Sequence, residues 1–489
     1  MVIGGGFGGM AAALRLRAAG HAVVLIERLD QLGGRARVFE RDGFTFDAGP
    51  TVITAPFLFE ELFELFDKRI EDYVEMVPVE PWYRMLFPDG RHFDYGGTLE
   101  DTLAEIARFE PADQDGYRRL LAHSRRLFDK GFTELADQPF GSPWDMLRVV
   151  PDLMRLRADR SVSALVAKHL RHPLLRQAFS LHPLLVGGNP FTTTSIYSLI
   201  HYLERQWGVH FPIGGTGALV AALGRLLAEV GVEVRLATTV DEIEVTDGRA
   251  QGVRLASGER IAAARVISAG DPAFVYKHLL GPEVRRRWSD RRLERLQYSM
   301  GLFVLYFGTD RVYPEVAHHT ILFGPRFEGL LADIFERRTL ASDFSLYLHR
   351  PTATDPGLAP AGQDGFYVLS PVPNLSADID WQTVGPQYQE SILRHLEARL
   401  LPDLRRHLVT AFHVTPRYFR DELLSVRGAG FSAQPVLRQS AWFRFHNRCA
   451  DIRDLYFVGA GTHPGAGVPG VLSSAKVLSN VLAREGVAA

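Results

Sequence analysis

Five of the six residues from Gly4 to Gly9 are glycine, in the order Gly4-Gly5-Gly6-Phe7-Gly8-Gly9. Gly4, Gly6 and Gly9 keep the spacing GxGxxG, and the flanking residues decide how it is read. Val2-Ile3 ahead of the turn is β-branched, and the Ala/Leu-rich stretch Met10 to Ala19 reads as a helix that stops at Gly20. His21 to Ile26 reads as a second strand and closes on Glu27, eighteen residues past Gly9. That order is the first βαβ unit of a doubly wound sheet. In such a turn the first glycine bends the chain and the second lets backbone approach a pyrophosphate. The third lets the helix pack on the strand. The helix N-terminus then faces the phosphates, and a carboxylate at Glu27 accepts from ribose hydroxyls. Only Met1, Val2 and Ile3 precede the turn, so the expectation is an unusually short first strand or a natural start a few residues upstream. With the chain opening directly on a glycine turn, no secretory signal is expected.

Gly33-Gly34-Arg35 follows the second strand. A guanidinium beside a glycine turn suits a diphosphate already held by one helix end. A nicotinamide dehydrogenase has no need of this addition, whereas a flavin enzyme must keep its cofactor through catalysis. Near the C-terminus, Leu455 to Val458 reads as a buried strand feeding a turn with Gly459, Gly461, Gly465, Gly467 and Gly470. A helix of small residues opens near Val468, with Pro469 suited to its first turn. That helix end can stabilise negative charge on a reduced isoalloxazine, and the small residues let a flat ring lie against backbone. Both ends of the chain thus point to FAD.

A third glycine turn, Gly214-Gly215-Thr216-Gly217, opens a helix over Ala218 to Val230. Short strands follow over Val232–Leu236, Glu242–Val245, Ala250–Leu255 and Arg265–Ser268. Dinucleotide-type elements therefore come in three separated pieces, and 489 residues are too many for one core. The fold expected is α/β: a Rossmann-like FAD-binding domain from residues 1–72, 212–289 and 425–489. An inserted α+β domain, 73–211 and 290–424, would face substrate and membrane. A net charge of −2 argues against a general nucleic-acid binder. The lone Cys449 excludes a disulfide framework or a cysteine-based zinc site and fits a reducing compartment; no metal is expected. No apolar run reaches the length of a transmembrane helix.

The stretch Gly459-Ala-Gly-Thr-His-Pro-Gly-Ala-Gly-Val-Pro-Gly-Val471 resembles the signature of the bacterial-type phytoene desaturases, within the wider amine-oxidase-like flavoproteins. Gly43 to Thr54, Leu185 to Phe191, Trp207 to Pro212 with Gly214 to Leu219, Asp343 to His349 and Gln439 to Arg444 match the same family, so the resemblance spans the chain. It implies FAD, with contacts from Gly4, Gly6, Gly9, Glu27, Gly34, Arg35, Val240, Gly459, Gly461, Gly467 and Val468. It implies stepwise desaturation of phytoene and partly desaturated carotenes to neurosporene or lycopene, with oxygen or a quinone as electron acceptor. A cytoplasmic protein lying on the inner face of the cell membrane is implied, and a homo-oligomer stays open. A desaturase of C30 or hydroxylated carotenoids, or a flavin-dependent carotenoid cis–trans isomerase, are alternatives that the sequence does not separate.

Phytoene offers no heteroatom to grip. At ~0.8 kcal/mol per buried CH₂, moving such a hydrocarbon through water costs roughly 30 kcal/mol, so it must be drawn from a bilayer. Residues 146–180 carry seven Arg and Lys against Asp152 and Asp159 and could lie on anionic lipid; a solvated helix face packed on the domain is the other reading. Desaturation removes a hydride, which only the flavin can take, and a proton. Asp145 and Arg148 match a family segment considered for proton chemistry, and at i, i+3 they share a helix face, as a surface ion pair also would. His463, beside the flavin turn, is a second candidate, with a structural hydrogen bond as its rival role. His182, Asn189 and His201 are expected to shape the channel. Trp442, Phe443 and Phe445 are expected in the core or tunnel wall.

Overall fold

Strands from three distant parts of the chain lie side by side in one parallel sheet in the computed structural model, which describes residues 1–486. Their order is Leu455–Phe457, Val266–Ser268, Val2–Ile3, Val24–Ile26, Glu233–Arg235. The first strand has two residues, yet it is the central one, paired on both edges. Val2, Leu25, Leu455 and Phe457 are all fully buried. A parallel sheet covered on both faces calls for such continuous apolar runs instead of alternation. Helix Phe7–Ala18 packs between helices Gly215–Glu229 and Val468–Arg484. Met10, Ala11, Ala12, Ala13 and Leu14 are buried without a break, as expected of an interior helix and not of an amphipathic surface one.

A seven-stranded sheet runs in the order Leu408–Val414, Gly301–Thr309, Asp364–Val372, Leu346–His349, His319–Leu322, Tyr83–Leu86, His92–Tyr95. Its pairs are antiparallel except His319–Leu322 with Tyr83–Leu86. Gly301–Thr309 is buried at every position. Helices between residues 99 and 207 bury Tyr117, Leu120 and Phe179 with Tyr83 and Phe93 of this sheet.

The basic stretch 146–180 is not one surface. It resolves into helices Pro143–Arg155, Val162–His169 and Pro173–Ser180. The last two turn Val162, Val166, Leu175 and Phe179 into the core. The backbone N–H groups of Arg171 and His172 donate to the buried Asp113 carboxylate, fixing the link between them. Only the first helix leaves large apolar side chains outside, with Trp144 69% exposed, Leu147 57% and Met154 54%. Among the described residues, no helix is long and apolar enough to cross a membrane.

Candidate functional site

The central strand ends at Gly4, whose φ of +98° turns the chain sharply. A Cβ on Gly9 would lie 1.9 Å from the Gly4 carbonyl oxygen, so only glycine lets the helix seat on the turn. Glu27 ends the adjacent strand, buried, with Oε2 accepting from the Gly5 N–H at 2.6 Å and Oε1 from the Leu29 N–H at 2.8 Å. The Gly33 N–H donates to Gly5 O at 2.9 Å, which folds Gly34 and Arg35 back over the first turn. The half-buried Arg35 reaches Ser425 Oγ from Nη2 at 3.4 Å and leaves its buried Nε without a partner. Burial holds its pKa below the usual value, opposed by the nearby Asp271 carboxylate. A half-buried cation with a free donor beside two glycine turns fits a diphosphate.

The C-terminal turn leaves its strand at Gly459 (φ +97°) and enters helix Val468–Arg484 through Gly467 (φ +91°). Side chains hold the peptide groups of this turn. Arg444 donates from Nε to Thr462 O at 3.0 Å and from Nη2 to Ala460 O at 2.6 Å. Asn447 Nδ2 donates to His463 O at 3.0 Å, and the Gly459 N–H donates to Ser474 Oγ at 2.7 Å. Sequence reasoning gave Arg444 and Asn447 no role. Arg444 is the only charged residue of the Gln439–Arg444 segment, and that was the available signal. Beside it, Phe445 packs in the core against Trp288, Trp442 lies under the Arg287 guanidinium, and Phe443 is 41% exposed.

Both turns open into one cavity of about 1030 Å³. Gly4, Gly6, Glu27, Gly34, Arg35 and Val240 line it, as do Gly459, Gly467 and Val468. Gly9 and Gly461 stand behind the wall as packing glycines; a Cβ on Gly461 would meet Pro272 Cδ at 2.3 Å. The same cavity continues along Leu302, Val304, Ile321, Phe323 and Leu369, an apolar floor supplied by the large sheet. Its roof includes Met146, Val149 and Leu153, the inner face of helix Pro143–Arg155.

His463 lines the cavity with Nε2 against Leu135 O at 3.0 Å and its ring edge-on to Phe140. Burial pushes its pKa down to about 4, so it is neutral at pH 7. Asp145 and Arg148 are not brought to the cavity: Asp145 Oδ2 accepts from the backbone N–H groups of Ser142 and Gly141, and Arg148 is exposed. His182, Asn189 and His201 also stand off the wall. His182 Nε2 lies 2.9 Å from Glu204 Oε2, Asn189 Oδ1 accepts from the Phe191 N–H, and His201 is fully buried against His182. They shape the packing behind the channel.

The family of flavin-containing amine oxidoreductases matches residues 7–480. The lycopene-forming phytoene desaturase of Pseudescherichia vulneris is 50% identical over 483 residues, covering 99% of this chain and 98% of its own. The neurosporene-forming phytoene desaturase of Cereibacter sphaeroides is 44% identical over 486 residues, covering 98% of this chain and 94% of its own. The chain belongs to the flavin-containing amine oxidoreductase family. Within it, this flavoenzyme stands with the bacterial phytoene desaturases, and its cofactor is FAD. Among solved structures, an oxidoreductase from Methanosarcina mazei shares its fold at a TM-score of 0.64 and 19% identity, covering 98% of this chain and 99% of that one. Putrescine oxidase bound to putrescine does so at 0.64 and 16%, covering 99% and 98%.

Proposed function

We propose that this enzyme desaturates phytoene, giving neurosporene or lycopene. The observation that carries the reading is the single cavity, which joins two glycine turns built for a dinucleotide to a channel walled by aliphatic and aromatic side chains. A long hydrocarbon gains nothing from polar contacts, so such a wall can select it only by shape and by excluding water. Bound FAD supplies a two-electron acceptor for the hydride. Glu27, Arg35, Val240 and the lining glycines would hold it, with Gly9 and Gly461 allowing the close packing behind them. The chain's own part is to orient the polyene and keep water out.

Helix Pro143–Arg155 is proposed as the membrane-facing element through which carotene enters. What supports this is its two apolar faces: Met146, Val149 and Leu153 toward the cavity, Trp144, Leu147, Val150 and Met154 toward solvent. Four of the ten exposed large apolar side chains among the described residues lie on it. Arg148 and Arg155, also exposed, suit anionic headgroups. Asp145 acts here by positioning, fixing the start of this helix. Reoxidation by oxygen or a quinone follows from the resemblance to the family.

Expression in a host that accumulates phytoene tests the reading, with coloured carotenes as the expected product. Persistent colourless phytoene in cells whose enzyme carries flavin would overturn it. So would anaerobic mixing with phytoene-loaded liposomes that changes carotene geometry yet leaves the flavin oxidised, the outcome for an isomerase.

A further inference from the structure

Three imidazoles in the seven-stranded sheet gather beside the cavity, on the sheet face that carries Ile321 and Tyr347, without lining it. His319 and His349 are register partners on adjacent antiparallel strands, their rings 5.2 Å apart and 20° from parallel. His318, just before the strand, closes edge-on to them at 4.5 and 4.8 Å. One ligand nitrogen from each lies within 4.8 Å of the other two. All three residues are buried, at 5%, 0% and 1% exposure.

The hydrogen bonds of these rings point outward from the cluster. His318 Nδ1 lies 2.6 Å from Thr354 Oγ1, and His319 Nδ1 lies 2.7 Å from the Tyr347 hydroxyl, itself 2.7 Å from Thr51 Oγ1. His318 Nε2 and His319 Nε2 have no partner, and His349 has none beyond the backbone of His318. Buried polar atoms are rarely left so, and here each ring brings one nitrogen within 4.8 Å of the other two. A neutral imidazole carries one ring nitrogen with a free lone pair, which a metal ion can take.

We propose that His318, His319 and His349 bind a divalent transition metal ion, Zn²⁺ foremost. Imidazole is a ligand of choice for zinc, copper and nickel, and three histidines leave one coordination position for an added ligand. Thr354 and Tyr347 are the outer partners that set which ring nitrogen faces inward. The nearest cation, Arg350, is engaged by Asp364, Nε to Oδ2 at 2.9 Å, and by Val316 O. Three neutral ligands do not offset the ion's charge, so a hydroxide or other small anion completes the site. The ion ties the His319–Leu322 and Leu346–His349 strands to the turn at Thr354. Through Tyr347, which lines the cavity, it also steadies the channel wall. The sequence expectation of no metal rested on the lone cysteine. The two histidine segments are thirty residues apart and show no ligand spacing.

Holoenzyme purified from zinc-supplemented cells, dialysed against a weak chelator and analysed by mass spectrometry of its metals, should hold zinc in proportion to chain. His349→Gln should lose it. Thr354→Val, which removes no ligand, should weaken affinity about 10–100-fold in chelator competition with flavin content unchanged. Adding zinc to chelator-stripped enzyme should raise Tm. Wild-type protein with only trace metal and no zinc-induced rise in Tm would overturn the proposal, as would stoichiometric zinc retained by His319→Ala/His349→Ala.

Discussion

The Cα of Gly459 stands 3.1 Å from the position a Cβ on Gly8 would occupy, so the first and last glycine turns of the chain press directly on each other. Gly459 N and Val471 Cγ1 lie nearly as close to the same point, at 3.2 Å each. A methyl group there must push the turns apart or shift the buried helix Val468–Arg484. Overpacking of this kind costs about 1–3 kcal/mol. Gly8→Ala should lower Tm and the flavin content of purified enzyme. Gly141→Ala, where no atom lies within 4 Å of the added methyl, should change neither. Equal flavin content in the two variants would refute the contact as a constraint.

Arg444 is the buried clamp on the C-terminal turn, with Thr462 and Ala460 carbonyls as acceptors. Hydrogen bonds to a charged group contribute about 1.5–3 kcal/mol each. Lysine has no fork with which to span both carbonyls. Arg444→Lys should therefore shed flavin faster on gel filtration and melt at lower temperature than wild type. Retention of flavin at the wild-type rate would show that backbone alone holds the turn.

The parallel sheet and the first cradle were legible because their signals are local: a β-branched run, a glycine turn, an alanine-rich helix, and Glu27 where the next strand ends. The boundaries moved by a few residues only, as in helix Gly215–Glu229 against the expected Ala218 to Val230. Residues 146–180 were less legible. Hydropathy sees Leu, Val and Met without distinguishing a cavity roof such as Val149 from a core position such as Val166 or an exposed one such as Leu147. Asp145 carried chemistry in the sequence but caps a helix in the fold. Arg444 acts through carbonyl groups brought near it only by tertiary packing, and no spacing rule encodes that.

His463 makes stability depend on pH. Its folded pKa, about 4, lies below the ~6.5 of an unfolded histidine. The folded chain thus resists protonation that the unfolded chain accepts. The contribution is present above pH 6.5 and is lost as pH falls from there toward 4, about 3 kcal/mol in all. Arg444, His446 and Asp137 face the ring; the first two hold its pKa down and Asp137 acts the other way. His463→Asn should flatten the decline of Tm between pH 6.5 and 4 relative to wild type. Parallel declines would assign the acid sensitivity to the other buried histidines.

Helix Pro143–Arg155 offers a separation that few elements allow, because the side chains proposed to meet lipid are already outside the fold. Leu147 and Met154 are 57% and 54% exposed, so replacing both with Asp removes little internal packing, and Tm and the flavin spectrum should stay as in wild type. Each side chain moved from water into the acyl boundary contributes about 1.5–3 kcal/mol. The pair should therefore weaken binding to anionic vesicles by about a hundredfold or more, read by co-sedimentation. Turnover of phytoene supplied in those vesicles should fall with it. Val149→Asp, on the opposite face, would instead place a carboxylate in the apolar cavity and should impair turnover with vesicle binding kept. Unchanged co-sedimentation of Leu147→Asp/Met154→Asp would remove this helix as the lipid-facing surface, while loss of binding in Val149→Asp alone would mean that the two faces do not act separately.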